Sequence, residues 1–134
     1  MLFTFYILFI FLIIHPFISN FKNGLLKNAV YCIVPYNHFY ISICTILVSD
    51  GFISGYQIIN SNIHIFFKYF DNSNIIQDII QISKPGRRIY YSDLYLTSKY
   101  RHKFFIVSTN KGIFNANCLE SLGIGGEVLF KLYI

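Results

Sequence analysis

After Asp50 the chain is cut into short β-prone runs by turn-forming clusters, and this punctuation limits the fold more than any other feature. Asn60-Ser61-Asn62, Lys84-Pro85-Gly86, Asn110-Lys111-Gly112 and Gly123-Ile124-Gly125-Gly126 combine residues that fix φ or tolerate positive φ. Residues 52–58 and 63–69 read as a hairpin, 75–82 as a third strand, and 104–108 and 126–133 as two more. Before Asp50 the signals are helical. Phe39, Ile43, Ile46 and Leu47 recur at helical spacing, with Asn37 as a candidate N-cap and Gly51 as a stop. Residues 19–28 read as the end of a first helix, and 29–34 as a short strand closed by Pro35. Asn115 or Asn117 is expected to cap a short helix through Leu122.

The first residues are the compositional anomaly. Positions 2–14 are apolar except for Thr4, and His15-Pro16 interrupts the run. Thirteen residues fall short of the about 20 that a spanning helix needs. A secretory signal wants a basic start and a small-residue cleavage site, and a transit peptide wants arginine; the run has none of these. The expectation is a hydrophobic N-terminal extension over 1–16, an N-terminal subdomain over 17–83 and a C-terminal subdomain over 84–134. A competing reading makes residues 1–18 a membrane anchor, with the basic segment lying on anionic lipid.

The chain is 54% apolar, with 15 Phe and 11 Tyr but only Ala29 and Ala116 as alanines. Enrichment in Phe, Ile, Tyr and Asn at the expense of Ala is what AT-rich codons produce. Net charge is +5, and its placement says more than its size. Lys84, Arg87, Arg88, Lys99, Arg101, Lys103 and Lys111 face a single acid, Asp93, between positions 84 and 111. A cationic stretch on an otherwise neutral chain fits a polyanionic partner, and a merely solubilising loop is the plainer alternative. Cys32, Cys44 and Cys118 form no C-x-x-C pair and read as small buried hydrophobes. The four histidines have no ligand-like spacing, so neither metal nor cofactor is expected.

Three motifs stand out. Ser83-Lys84-Pro85-Gly86-Arg87-Arg88-Ile89-Tyr90 places two guanidinium groups after a rigid turn, and strand alternation would send them to opposite faces. Ser108-Thr109-Asn110-Lys111-Gly112 gathers hydroxyls, an amide, an ammonium and a glycine, a set suited to phosphate and 2′-OH contacts but also common in ordinary turns. The glycines of Gly123-Ile124-Gly125-Gly126-Glu127-Val128 lack dinucleotide spacing and precede a strand, so a turn allowing close backbone approach is the better reading. No paired carboxylates and no nucleophile elbow are present, and an enzyme is not expected.

Taken in order and spacing, Ser83–Tyr90, Ser108-Thr109-Asn110-Lys111-Gly112-Ile113 and Leu122–Val128 resemble the bacterial-type small ribosomal subunit protein S8 family. Phe21-Lys22-Asn23-Gly24 resembles the end of that family's first helix, and Ile65-Phe66-Phe67-Lys68-Tyr69 one of its strands. The resemblance covers roughly 17–134. It implies an α+β fold, with an N-terminal α-β-α-β-β part and a smaller, mostly β C-terminal part. It implies binding to the central domain of small-subunit rRNA, platform assembly, and neighbouring small-subunit proteins as further partners. Carried over by position, the RNA-binding residues are Ser108, Thr109, Asn110 and Lys111, supported by Gly125, Gly126 and Glu127. Lys22 and Asn23 join them at the N-terminal end, with the Asn37 loop a weaker candidate. The charge of the basic turn adds Lys84, Arg87 and Arg88, with at most one of the two arginines expected to face RNA directly. Asn20, Tyr36, His38 and Tyr40 depart from basic or serine-rich family positions, and the basic Lys99-Tyr100-Arg101-His102-Lys103 replaces a family segment. These departures and the codon bias point to a divergent organellar member, mitochondrial first and plastid second. A free regulatory RNA binder is a weaker alternative.

Overall fold

The structure, a computed structural model, describes the backbone of residues 2–83, 104–116 and 126–134, and within those ranges the side chains from Leu12 onward. The basic turn with Lys84, Arg87 and Arg88, the segment 99–103, Gly125 and the expected helix through Leu122 lie outside the described residues. The element order is α1 (Leu2–Leu26), β1 (Tyr31–Pro35), α2 (His38–Ser49), β2 (Ile53–Ile59), β3 (Asn62–Phe67), β4 (Tyr69–Phe70), β5 (Ser73–Asn74), β6 (Asp78–Gln81), β7 (Phe104–Thr109), β8 (Gly112–Asn115) and β9 (Glu127–Tyr133). The fold is α+β. Two compact units emerge, residues 16–79 with Ile134, and residues 1–15 with 80–133.

The apolar run that His15-Pro16 interrupts in sequence belongs to one helix, since α1 continues through Pro16 to Leu26. Proline inside a helix costs about 3 kcal/mol. Against that, Ile14, Phe17, Ile18, Phe21 and Leu25 form one buried stripe at helical spacing while Pro16 faces solvent. Burying such a side chain is worth roughly 1.5–3 kcal/mol, so the stripe as a whole outweighs the proline. Among the described residues no helix is long and apolar enough to cross a membrane.

In the 16–79 unit both helices end in the same way. Asn28 (φ 52) follows α1, with Asn28 N–H donating to Leu25 O at 3.2 Å and Ala29 N–H to Gly24 O at 3.1 Å. Gly51 (φ 80) follows α2, with Gly51 N–H donating to Val48 O at 3.1 Å and Phe52 N–H to Leu47 O at 2.9 Å. Each is a Schellman closure, which satisfies carbonyls that a helix end leaves free. At the start of α2 the Asn37 side chain accepts from Phe39 N–H at 2.9 Å, as the sequence predicts. Asn60 (φ 49) and Ser61 (φ 63) give the β2–β3 hairpin a two-residue turn with positive φ at both positions, which matches the strand twist.

These strands form an antiparallel sheet ordered β1-β3-β2. Its inner face buries Cys32, Val34, Ile63, Ile65 and Phe67, and the helices supply Phe17, Phe21, Tyr40, Ile43, Cys44 and Leu47. Phe21 meets Phe67 edge-on at 5.0 Å, and Phe17 lies 5.1 Å from Tyr40. Gly24 sets how closely α1 approaches: a Cβ there would come within 2.7 Å of Phe67 Cε2 and 3.1 Å of Cys32 Cβ. Alternation turns Tyr31, Ile33 and Pro35 outward, and the registers Tyr31↔Phe66↔Gly55 and Ile33↔His64↔Gln57 complete that outer face. A second small hairpin, β4–β5, turns on Asp71 (φ 50) and Asn72 (φ 63), and Tyr69 Oη donates to Ala29 O.

The other sheet runs β6-β9-β7-β8. The third β-prone run therefore yields only four residues of strand, and β6 joins β9 rather than the β1-β3-β2 sheet. Ile82 N–H donates to Leu129 O at 3.1 Å alongside. Phe105, Val107, Ala116 and Val128 form a buried cluster on one face, with Ile82 and Phe114 packed against it.

Candidate nucleic-acid interface

The central strand β7 carries the candidate residues at its end. Alternation sends Phe105, Val107 and Thr109 to one face and Ile106 and Ser108 to the other. β8 returns antiparallel after Asn110 and Lys111, with Thr109 paired to Gly112. The left-handed step of this turn falls on Gly112 (φ 127), where a side chain would be strained. Thr109 ties the turn from within: its hydroxyl donates to Gly112 O at 2.8 Å and accepts from Lys111 N–H at 3.2 Å. Thr109 is 8% exposed and Ser108 9% exposed, whereas Asn110 and Lys111 are open to solvent. Burial therefore separates two roles. Thr109 builds the turn, and Asn110 and Lys111 are what the turn presents.

On the other side of β7 lies β9, with Ser108 paired to Glu127 and Val107 to Val128. Gly126 sits immediately before this pairing. A Cβ on Gly126 would run into the Ser108 carbonyl oxygen and come within 2.9 Å of both Thr109 Cγ2 and Val107 Cγ1. Glycine is required here because two backbones approach closely, and no positive φ is involved. Ser108, Thr109, Gly126 and Glu127 are thus neighbours in one sheet, although 17 positions separate Thr109 from Gly126 in sequence.

Lys22 and Asn23 belong to the 16–79 unit, on the last turns of α1. Asn23 is exposed. Lys22 Nζ lies 3.6 Å from Asp78 Oδ1, with both side chains well solvated. Such a pair is worth little and leaves the ammonium able to exchange partners. The side chain of Asn37 serves as the α2 cap, so that candidate is occupied within the fold. Sequence reasoning missed Lys131, which is 8% exposed with its Nζ 4.7 Å from the Tyr133 ring centre. Pairing opposite Phe105 brings it to a covered face, a register that only β7–β9 pairing reveals. Among the described residues no group of three or more His, Cys, Asp or Glu is placed to hold a metal ion.

A family model of ribosomal protein S8 matches residues 13–133. Small ribosomal subunit protein uS8 of Ehrlichia chaffeensis is 34% identical over 123 residues, covering 87% of this chain and 93% of that protein. The protein of the same name from a Bradyrhizobium strain is 32% identical over 126 residues, covering 90% and 96%. That of Buchnera aphidicola is 30% identical over 116 residues, covering 84% and 89%. The α+β fold and these likenesses define a structural ribosomal protein and not an enzyme. The chain belongs to the ribosomal protein S8 family.

Proposed function

We propose that this chain binds the central domain of small-subunit rRNA, supports assembly of the platform of that subunit, and does so in an organelle, the mitochondrion first and a plastid second. The observation that carries the RNA reading is the packing of Gly126 against Ser108 and Thr109 beside the exposed Asn110 and Lys111. A surface of close-packed backbone with the Asn110 amide and the Lys111 ammonium, and the Ser108 hydroxyl at its edge, suits a shallow RNA groove, where 2′-OH and phosphate groups are presented. Lys84, Arg87 and Arg88 add cationic charge in sequence, and Lys22 and Asn23 extend the contacts from the N-terminal unit. The organellar reading rests on the Phe-, Ile-, Tyr- and Asn-rich, Ala-poor composition.

Binding of the full chain to a central-domain rRNA fragment, compared with an unrelated hairpin of equal length, tests the RNA reading. Ser108→Ala is expected to weaken binding by about 0.5–1.5 kcal/mol, one net hydrogen bond. Lys111→Ala should weaken it and lower the slope of log affinity against log salt by about 1. Equal affinity for both RNAs, or a salt slope that Lys111→Ala leaves untouched, sinks this assignment. Recovery of the chain with mitochondrial small subunits after fractionation is expected, and recovery only with cytosolic ribosomes rules out the organelle.

A further inference from the structure

We infer that the outer face of the β1-β3-β2 sheet is a docking surface for a neighbouring protein that presents an uncharged, apolar segment with one ring or branched side chain seated over Gly55. The inference rests on the chain working inside a ribosomal particle. The face is organised in cross-strand rows. In one, Tyr31 is tilted against Phe66 at 5.7 Å, and Gly55 completes the row on β2. In the next, Ile33, His64 and Gln57 stand side by side, and the Tyr31 ring stacks on His64 at 5.4 Å. Tyr31 is 44% and Ile33 46% exposed, so large apolar groups stand in water. A Cβ added at Gly55 would meet nothing within 4 Å. Gly55 therefore leaves open space on β2 opposite Phe66, in the row that Tyr31 completes.

Charge selects the occupant. None of the outward residues of the three strands is Lys, Arg, Asp or Glu. The 16–79 unit as a whole carries Lys22, Lys27 and Lys68 against Asp50, Asp71 and Asp78, a net charge of zero. Nucleic-acid affinity is dominated by neutralised phosphates, and this face offers no lysine or arginine for them. Uncharged aromatic and aliphatic residues are instead what the centres of protein interfaces concentrate. Size selects the setting. Three strands spaced about 4.8 Å apart, with a rise of about 3.3 Å per residue, give a face on the order of 200 Å². A stable pair of free proteins buries roughly 800 Å² on each side. A second copy of this chain could not be held by this face alone, whereas a neighbour already fixed in the same particle could.

The test uses the full chain assembled into small subunits, with a photoreactive phenylalanine analogue at Gln57. The expected result is a crosslink to one protein of the same subunit, through an uncharged apolar segment. Crosslinks only to rRNA or to a second copy of the chain, or no crosslink at all, overturn the proposal. Gly55→Val occupies that open space without removing any contact of the free chain. It should leave thermal unfolding and rRNA affinity unchanged while abolishing that crosslink and lowering subunit occupancy about tenfold at limiting concentration. Parent-like assembly and crosslinking of Gly55→Val also overturn it. If the parent chain never enters the small subunit, the ribosomal reading fails first; entry without the crosslink defeats only the docking surface.

Discussion

At the scale of single residues, Gly126 and Thr109 decide whether the candidate interface exists. Gly126→Ala forces a methyl group onto the Ser108 carbonyl oxygen, a backbone atom that cannot rotate away. Overpacking of this kind costs about 1–3 kcal/mol, and a lower denaturant midpoint is the expected reading. Thr109→Val keeps the shape but leaves Gly112 O and Lys111 N–H without the hydroxyl, and should destabilise by about 1–3 kcal/mol, while Thr109→Ser should restore most of the loss. Unchanged unfolding of Thr109→Val would remove Thr109 from the role of turn builder. The serine, threonine and glycine motifs were legible in sequence as residue types at set positions. Their division of labour was not, because burial of Ser108 and Thr109 arises from strands on both sides of β7.

At the scale of elements, caps and turns carried most of the legible signal. Asn37 and Gly51 bracket α2 as the sequence predicts, and the Asn60-Ser61-Asn62 cluster turns β2 into β3. Asn37→Ala should cost about 1 kcal/mol of stability, measured by chemical denaturation, because Phe39 N–H loses its acceptor. No change would mean that the α2 start is held by packing alone. The β4–β5 hairpin turns in the interval the sequence reading leaves unassigned between strands 63–69 and 75–82, although Asp71-Asn72 is a pair that tolerates the positive φ such a tight reversal needs. The extent of α1 was not legible for a different reason: the sequence shows an apolar run interrupted by His15-Pro16, and only the buried stripe on either side shows the helix carrying on through the proline.

At the scale of the whole molecule, the two described thiols make stability depend on alkali. Burial pushes Cys32 and Cys44 up from 9.0 to about 12, and for Cys44 the neighbouring Cys32 adds to the effect. The folded state therefore holds these protons more tightly than the unfolded chain does. Their contribution is complete below about pH 9 and is lost as pH rises through 9 toward about 12. The denaturant midpoint should fall over that window, and a Cys32→Ala, Cys44→Ala chain should show a shallower fall despite starting lower. An identical slope in both chains would exclude the thiols as the cause. The α+β class could be read from the order of helical and strand signals. Assignment of β6 to the β9 edge could not, since pairing partners far apart in sequence are set by register and not by local pattern.

The Thr109 hydroxyl grips the β7–β8 reversal from both sides, so the turn that carries Asn110 and Lys111 is braced from within the chain itself. Recognition through such a reversal forfeits little conformational freedom at the moment of encounter. A rigid template of this kind would engage its target with a heat-capacity change set by the surface covered and not by a segment that must first fold.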